Sequence, residues 1–160
     1  MTTELDALYQ EIILDHYKNP HHKGLRDPFE AEVHHVNPTC GDEVTLRVKI
    51  HDGDGANSPI VADVSYDSLG CSISQASVSV MTDLVVGKTV PQALETGEHF
   101  MTLMQAKGDP SVAEKLEDEL EDAVAFAGVS KYPARIKCAL MSWMALKDAS
   151  ARAMSVGGTN

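Results

Sequence analysis

The sequence predicts one α+β domain in which a three-stranded antiparallel sheet packs against several helices. Three features indicate this class: a helix-like N-terminal segment, three strand-like stretches after it, and a C-terminal half with helical periodicity from residue 72 onward. A chain of 160 residues suits one domain with a substantial core and is short for two. Apolar residues make up 43% of it, which is typical of a folded chain rather than a disordered one.

The N-terminal segment, residues 3–18, carries apolar side chains at the spacing of one helical face. A loose first strand is predicted around residues 29–37. Strict alternation of apolar and polar residues predicts a second strand over 44–50, and a third is predicted over 60–69. Because the intervening residues 51–59 form a strong turn pattern, we expect the strands to pair as an antiparallel meander.

Four helical segments are predicted after residue 71. Ser72 is a candidate N-cap for the first, and Thr89 with Gln92 matches a capping box at the start of the second. The third is expected to run unbroken over residues 110–127, ending at Gly128.

The last helix is predicted to follow Pro133, and the small polar residues 155–160 predict a flexible C-terminal tail. We find neither an internal repeat nor a linker. The expected organisation is therefore a single domain over residues 1–154 with a tail over 155–160.

Charge and composition restrict the classes of function. A formal net charge of −11 disfavours binding to phosphate backbones, so we expect no nucleic-acid partner, and it suits docking onto a basic surface. The apolar runs are too short to span a membrane, and the chain opens with no secretory signal pattern. Three cysteines, an odd count, favour free thiols in a reducing, cytoplasmic compartment.

Cys40 and Asp42 stand directly before the clearest strand. Pro38 favours an extended conformation in the preceding residue, and Gly41 permits a sharp backbone turn, so Cys40 is expected on a loop. Because Asp42 is only two residues further on, its carboxylate can reach the same point in space as the Cys40 sulfur.

The other two cysteines lie near predicted helix starts. Cys71 precedes a helix whose unpaired N–H groups favour a thiolate. Cys138 lies in the first turns of the last helix, and Arg135 and Lys137 stand just before it in the sequence. These two cations are expected to lower the pKa of Cys138. Arg135 and Lys137 are therefore candidates for electrostatic support of the site.

Two interpretations of the cysteines remain open at this point. A single free cysteine is most often a small buried hydrophobic residue, and the three are not spaced as a C-x-x-C pair. If Cys40, Asp42, Cys71 and Cys138 converge, they form a four-ligand set for which Zn²⁺ is the default ion. Two adjacent histidine pairs, at residues 21–22 and 34–35, are expected in surface loops or strand ends.

Three motifs together resemble a known family. The segment NPTCGD at residues 37–42, the segment GCSISQAS at 70–77, and Cys138 at the start of a C-terminal helix are similar to the IscU-type proteins of iron–sulfur cluster assembly. The N-terminal DHYKNP at residues 15–20 resembles the opening segment of the same family. The resemblance extends over nearly the whole chain and implies the same α+β fold.

Departures from the IscU pattern resemble the SufU branch. Lys137 stands where classical scaffolds have a histidine, and residues 131–135 lack the chaperone-docking motif of those scaffolds. The helix over 110–127 resembles an insertion that IscU lacks. In the SufU branch these features accompany zinc-dependent sulfur transfer in partnership with a SufS-type cysteine desulfurase.

The resemblance implies a site and a mechanism. It implies Zn²⁺ bound by Cys40, Asp42, Cys71 and Cys138, with Cys40 accepting persulfide sulfur after a histidine of the partner enzyme replaces it on the metal. A SufBCD-type scaffold is the expected sulfur acceptor. Two alternatives stay open: a scaffold that carries an iron–sulfur cluster, and a non-catalytic adaptor stabilised by structural zinc.

Overall fold

The computed structural model describes residues 4–38, 40–52 and 59–157 and places in them five α-helices, three strands and one 3₁₀ segment. In chain order these are α1 (Glu4–Lys18), β1 (Ala31–Asn37), β2 (Asp42–Asp52), β3 (Pro59–Leu69), α2 (Ser72–Val85), α3 (Val90–Met104), α4 (Pro110–Leu120), the 3₁₀ segment (Glu121–Lys131) and α5 (Pro133–Gly157). The strands form one antiparallel sheet in the order β1-β2-β3. The predicted α+β class, with three antiparallel strands against several helices, is confirmed.

The alternation that predicts β2 has a direct structural consequence. Val44, Leu46, Val48 and Ile50 are buried on one face of the sheet, whereas the residues between them are partly exposed on the other. The long helix α5 packs against β1 and β2 and also contacts α2, while α1 packs against α2 and the 3₁₀ segment. β3 ends at Leu69, three residues before α2 begins, and the β1–β2 turn lies near the start of α5, where the Cys40 Sγ is 3.9 Å from the Ala134 carbonyl oxygen.

An aromatic cluster joins the C-terminal helices. Phe100 of α3 stacks on Trp143 of α5 with ring centroids 4.8 Å apart, and Phe126 of the 3₁₀ segment meets Phe100 edge-on at 5.8 Å. The predicted capping box of α3 is also confirmed, since Thr89 and Gln92 exchange side-chain and backbone hydrogen bonds.

The prediction of one unbroken helix over residues 110–127 is wrong. The α-helix ends at Leu120, and Glu121 adopts φ +47° before the chain continues as the 3₁₀ segment. Residues 123–126 are all buried, which a one-sided amphipathic α-helix does not allow. The backbone changes its period here because four successive side chains enter the core.

The length of α5 bears on the predicted C-terminal boundary of the domain. α5 continues to Gly157, three residues into the segment expected as a tail, and residues 158–160 lie outside the described residues. Residue 3 and residues 53–58 of the turn predicted over 51–59 also lie outside them, while the flanking residues 51–52 and 59 belong to β2 and β3. The division into one domain and a tail stays a prediction. Across the three described stretches, we find no helix with both the length and the apolar character that crossing a membrane requires.

Candidate metal centre

Cys40 and Asp42 lie on the turn between β1 and β2. Asn37 pairs with Asp42 across the end of the sheet, and the Cys40 N–H donates to the Asn37 carbonyl oxygen at 3.3 Å. Gly41 adopts φ +68°, a left-handed conformation that glycine reaches at little cost. The turn leaves Cys40 half-buried and returns Asp42 to the first position of β2, where its side chain is buried.

Asp42 connects this turn with the start of α2. Its Oδ1 accepts a hydrogen bond from the backbone N–H of Cys71 at 2.9 Å, and its Oδ2 lies 4.0 Å from the Cys71 Sγ. The prediction of Ser72 as N-cap is wrong, because Cys71 occupies that position and its side chain makes no capping hydrogen bond. A carboxylate from β2 instead satisfies one of the helix's free N–H groups.

Gly70 makes the close approach of Asp42 possible. It has φ +142°, and a Cβ atom placed there would overlap the Oδ1, Cγ and Cα atoms of Asp42. Any larger residue at this position has to displace either the carboxylate or the start of α2. The glycine before Cys71 therefore determines where Asp42 can lie.

Cys138 is fully buried on α5 and faces the β1–β2 turn. Its Sγ lies 3.0 Å from the Cys40 Sγ, and both sulfurs are near the Ala134 carbonyl oxygen, at 3.8 Å and 3.9 Å respectively. The Asn37 side-chain amide lies 4.0 Å from the Cys138 Sγ. α5 thus brings the third cysteine to the same end of the sheet as the first.

Burial raises the pKa of the Cys138 thiol well above its usual value. Hydrogen bonding to Cys40 and Asp42 and the charge of Cys71 act in the same direction. The expectation that Arg135 and Lys137 lower this pKa is wrong. Both side chains are exposed, so solvent screens their charges while Cys138 is desolvated.

The predicted site residues meet at one end of the sheet although they are far apart in sequence. Ligand atoms of Cys40, Asp42 and Cys138 all lie within 4.8 Å of one another. Cys71 adjoins this group through its 4.0 Å contact with Asp42. All four are thus neighbours, and their assignment as metal ligands stays a prediction.

The donor set fits zinc, and its spacing needs one small adjustment. Three sulfurs and one carboxylate oxygen match the tetrahedral S/O sites that Zn²⁺ prefers. With Zn–S bonds of about 2.3 Å, tetrahedral geometry separates two sulfurs by roughly 3.8 Å, so Cys40 and Cys138 need to move apart by roughly 0.8 Å. Three thiolates and a carboxylate around Zn²⁺ leave a formal charge of about −2, which the N–H groups at the start of α2 and the Asn37 amide partly offset.

Asn37 and Gly70 contribute to the centre without having been predicted to do so. Both belong to the motifs that carry the family resemblance, at the edges of the segments containing Cys40 and Cys71. Their roles depend on contacts with residues more than 25 positions away, namely Asn37 with Cys138 and Gly70 with Asp42. Local sequence patterns do not reveal such contacts.

Comparisons with known proteins identify the family of the chain. Residues 8–139 match the family described as the NifU-like N-terminal domain. The chain is 45% identical over 150 residues to the zinc-dependent sulfurtransferase SufU of Bacillus subtilis, with 92% of each protein covered. It is 40% identical over 150 residues to the iron–sulfur cluster assembly scaffold protein IscU of Streptococcus pyogenes, covering 94% of this chain and 87% of that protein.

A solved structure has the same fold. The crystal structure of an iron–sulfur cluster assembly scaffold protein for the SUF system, from Fervidobacterium islandicum, aligns with a TM-score of 0.70 at 34% identity. The alignment covers 90% of this chain and 97% of that one, so the two proteins share their architecture over nearly their whole length.

Proposed function

The chain belongs to the family of the NifU-like N-terminal domain, and from this premise we propose that it is a zinc-dependent sulfur carrier for iron–sulfur cluster assembly. It accepts persulfide sulfur from a SufS-type cysteine desulfurase and passes it to a SufBCD-type complex. The observation that carries this proposal is the convergence of Cys40, Asp42 and Cys138, with Cys71 beside Asp42. The similarity to the Bacillus subtilis sulfurtransferase supports it.

The proposed zinc ligands are Cys40, Asp42, Cys71 and Cys138. Zinc bound there keeps the thiols deprotonated, which burial alone opposes at Cys138. The Oδ1 of Asp42 accepts a hydrogen bond from the backbone N–H of Cys71, while its Oδ2 lies near the Cys71 sulfur. The same carboxylate therefore orients one cysteine and supplies the oxygen donor.

Cys40 is the proposed sulfur acceptor because it is the least constrained of the three. Cys138 is fully buried within α5, and the backbone of Cys71 is held by Asp42 at the start of α2. Cys40 is half-buried on a turn next to Gly41, and its backbone N–H makes only a 3.3 Å hydrogen bond. A turn residue can move toward a partner without disturbing a helix or a strand.

The transfer step is a thiol–persulfide exchange. The Cys40 thiolate attacks the terminal sulfur of the desulfurase persulfide, a new S–S bond forms at Cys40, and the S–S bond of the donor breaks. The electron pair of that bond leaves with the donor cysteine as a thiolate. No net oxidation occurs, because one persulfide is lost and one is gained.

The surface around the cysteines is suited to a protein partner. Val36, Leu69 and Tyr132 are large apolar side chains that are more than half exposed, and each lies within a few residues of Cys40, Cys71 or Cys138 in the chain. The acidic net charge of the chain favours a partner with a basic face. Arg135 and Lys137, also exposed here, stay candidates for supporting the site's charge.

Mass spectrometry after mixing the protein with a cysteine desulfurase and cysteine tests the proposal. We expect an added mass of about 32 Da, one sulfur atom, on the peptide that contains Cys40. Cys40→Ser should abolish the adduct and the stimulation of desulfurase turnover while binding to the desulfurase persists. Cys71→Ser is the comparison variant, since it also removes one proposed zinc ligand but leaves the proposed sulfur acceptor in place; any adduct it forms should still lie on Cys40. An adduct that depends on Cys71 and not on Cys40 contradicts the assignment.

A cluster scaffold is the second candidate function. Three cysteines and Asp42 also provide four ligands for a [2Fe–2S] cluster, and the Streptococcus pyogenes relative is named a scaffold. Lys137 is exposed and, while protonated, offers no ligand where classical scaffolds have a histidine. Metal analysis separates the candidates: about one zinc and no visible chromophore supports the carrier.

A non-catalytic adaptor is the third reading. In that case zinc only stabilises the docking surface, and Cys40→Ser leaves the stimulation of the desulfurase unchanged as long as the fold is intact.

A further inference from the structure

A second group of ligating side chains lies away from the cysteines. Among the described residues, His16, His21 and Asp83 offer ligand atoms that all lie within 4.8 Å of one another. They come from the end of α1, the following loop, and α2. Asp83 is 12 residues along α2 from Cys71, which is roughly 18 Å at the rise of an α-helix, so this group is separate from the cysteine centre.

The exposed part of this group is built around the Asp83 carboxylate. His21 Nδ1 lies 2.5 Å from Asp83 Oδ2, and His22 Nε2 lies 3.6 Å from Asp83 Oδ1. The backbone N–H of His21 donates to the Ser79 hydroxyl at 2.8 Å, which attaches the loop to α2. Two imidazoles therefore meet one carboxylate at a surface that ions in solution can reach.

His16 forms the buried side of the group and is held in place at both ring nitrogens. It is 3% exposed, with Nδ1 2.8 Å from the Ser79 hydroxyl and Nε2 3.5 Å from Asp122 Oδ2. Its ring centroid lies 4.6 Å from that of His21. A histidine that binds a metal keeps one ring nitrogen for an orienting hydrogen bond and gives the other to the ion. The 2.8 Å bond to Ser79 can play the orienting part, and the longer 3.5 Å contact with Asp122 is the one that an ion would replace.

A buried tyrosine lies beside this group. Tyr66 is 1% exposed, and among the described residues its Oη makes no hydrogen bond of ordinary length and angle. Burial raises the pKa of Tyr66 to about 12, while interaction with the Ser79 side chain lowers it and the charge of Asp83 raises it further. The tyrosine hydroxyl therefore adjoins the same Ser79 that contacts His16 and His21.

We propose that His16, His21 and Asp83 form a second binding site for a divalent transition metal, with His22 as an additional ligand. Neutral imidazoles with one carboxylate are a donor set typical of Zn²⁺ and unsuited to Mg²⁺ or Ca²⁺. Asp83 and the neighbouring Asp122 carry two negative charges, which a divalent cation neutralises.

The ion fastens the N-terminal helix to the body of the domain. Its ligands come from α1, the loop that follows it, and α2, which the fold otherwise joins through helix packing and the Ser79 hydrogen bonds. The proposal does not depend on sulfur transfer. It concerns a metal that binds in addition to the one assigned to the cysteines.

Calorimetric titration with Zn²⁺ tests the proposal on protein that already holds one equivalent of zinc. We expect one further equivalent to bind, and the imidazole NMR signals of His16 and His21 to shift as it does. His21→Ala and Asp83→Asn should weaken this second equivalent most. Ser79→Ala, which removes only an orienting hydrogen bond, should weaken it roughly 10–100-fold.

His99→Ala is the matched control. His99 is a partly exposed histidine beside an acidic residue, Glu95, on another helix, so its loss should leave the titration unchanged. The proposal is overturned if no further equivalent binds, if His21→Ala and Asp83→Asn bind it as the unaltered protein does, or if His99→Ala reduces it equally. All three outcomes are independent of whether the cysteine centre transfers sulfur.

Discussion

Replacing Gly70 by alanine perturbs the cysteine centre without removing a ligand. The backbone at this position has φ +142°, and the added Cβ overlaps the carboxylate of Asp42. The backbone strain costs about 1–3 kcal/mol. Displacing Asp42 also breaks its hydrogen bond to the Cys71 N–H, and a hydrogen bond to a charged group contributes about 1.5–3 kcal/mol. We therefore expect Gly70→Ala to lower the free energy of unfolding by about 2.5–6 kcal/mol.

Gly87→Ala is the control for this prediction. Gly87 also has a left-handed φ, +94°, but a Cβ atom there meets nothing within 4 Å. It should therefore show the backbone cost of about 1–3 kcal/mol without the clash. Urea unfolding of the zinc-free proteins measures both values, and the difference between the variants isolates the displacement of Asp42.

Zinc affinity provides the second readout. Because the displaced carboxylate is a proposed ligand, Gly70→Ala should weaken zinc binding at least about tenfold in a chelator competition, equivalent to about 1.4 kcal/mol, while Gly87→Ala leaves it unchanged. The reasoning is refuted if the two variants lose equal stability and bind zinc equally well, since the position of Asp42 would then not depend on Gly70.

Two further predictions concern stability away from the metal centres. Thr89→Ala removes the capping box of α3 and should lower the free energy of unfolding in urea by about 1 kcal/mol. Thr102→Ala, at an exposed threonine later in the same helix, is the control; an equal loss of stability there would show that the cap contributes nothing specific. The hydrogen bond from His35, followed by that from Arg152, lowers the pKa of Asp148 below its ordinary value of 3.8. The ionised carboxylate therefore stabilises the fold above about pH 4, and this contribution to stability is lost as the pH falls through the lowered pKa. Asp148→Asn should therefore cost about 0.2–1 kcal/mol at pH 6 and less at pH 3; an equal cost at both values would rule out the ionised form as the cause.

Regular local patterns made much of the fold predictable. The alternation over residues 44–50 predicts β2 because one face of the strand is buried, and the Thr89–Gln92 spacing predicts the start of α3 because a capping box lies within four residues. The break at Glu121 was missed. Its signal was present in the sequence, since the unbroken apolar run at residues 123–127 does not fit a helix with one polar face.

The centre was predictable only to the extent that motifs identify residue types. The segments around Cys40, Cys71 and Cys138 resemble a family, and the structure brings these residues together with Asp42. The raised pKa of Cys138 was predicted with the wrong sign, because adjacency to Arg135 and Lys137 in the sequence suggests a nearby positive charge. In the fold both cations are exposed, whereas the thiol is desolvated.

The amino-acid sequence by itself determined most of the secondary-structure elements and the side chains available for a site. These are the alternating strand β2, the capped helix α3, and three thiols with one carboxylate, two of the thiols next to glycines. Only the tertiary structure decided which groups meet. Asp42 accepts a hydrogen bond from the backbone N–H of Cys71, and α5 places the buried Cys138 against Cys40. α2 brings Asp83 to His21, in the loop that follows α1. The reason is physical: periodicity and capping act over a few residues, whereas burial, desolvation and shared ligands depend on surfaces that come together only when the helices pack on the sheet.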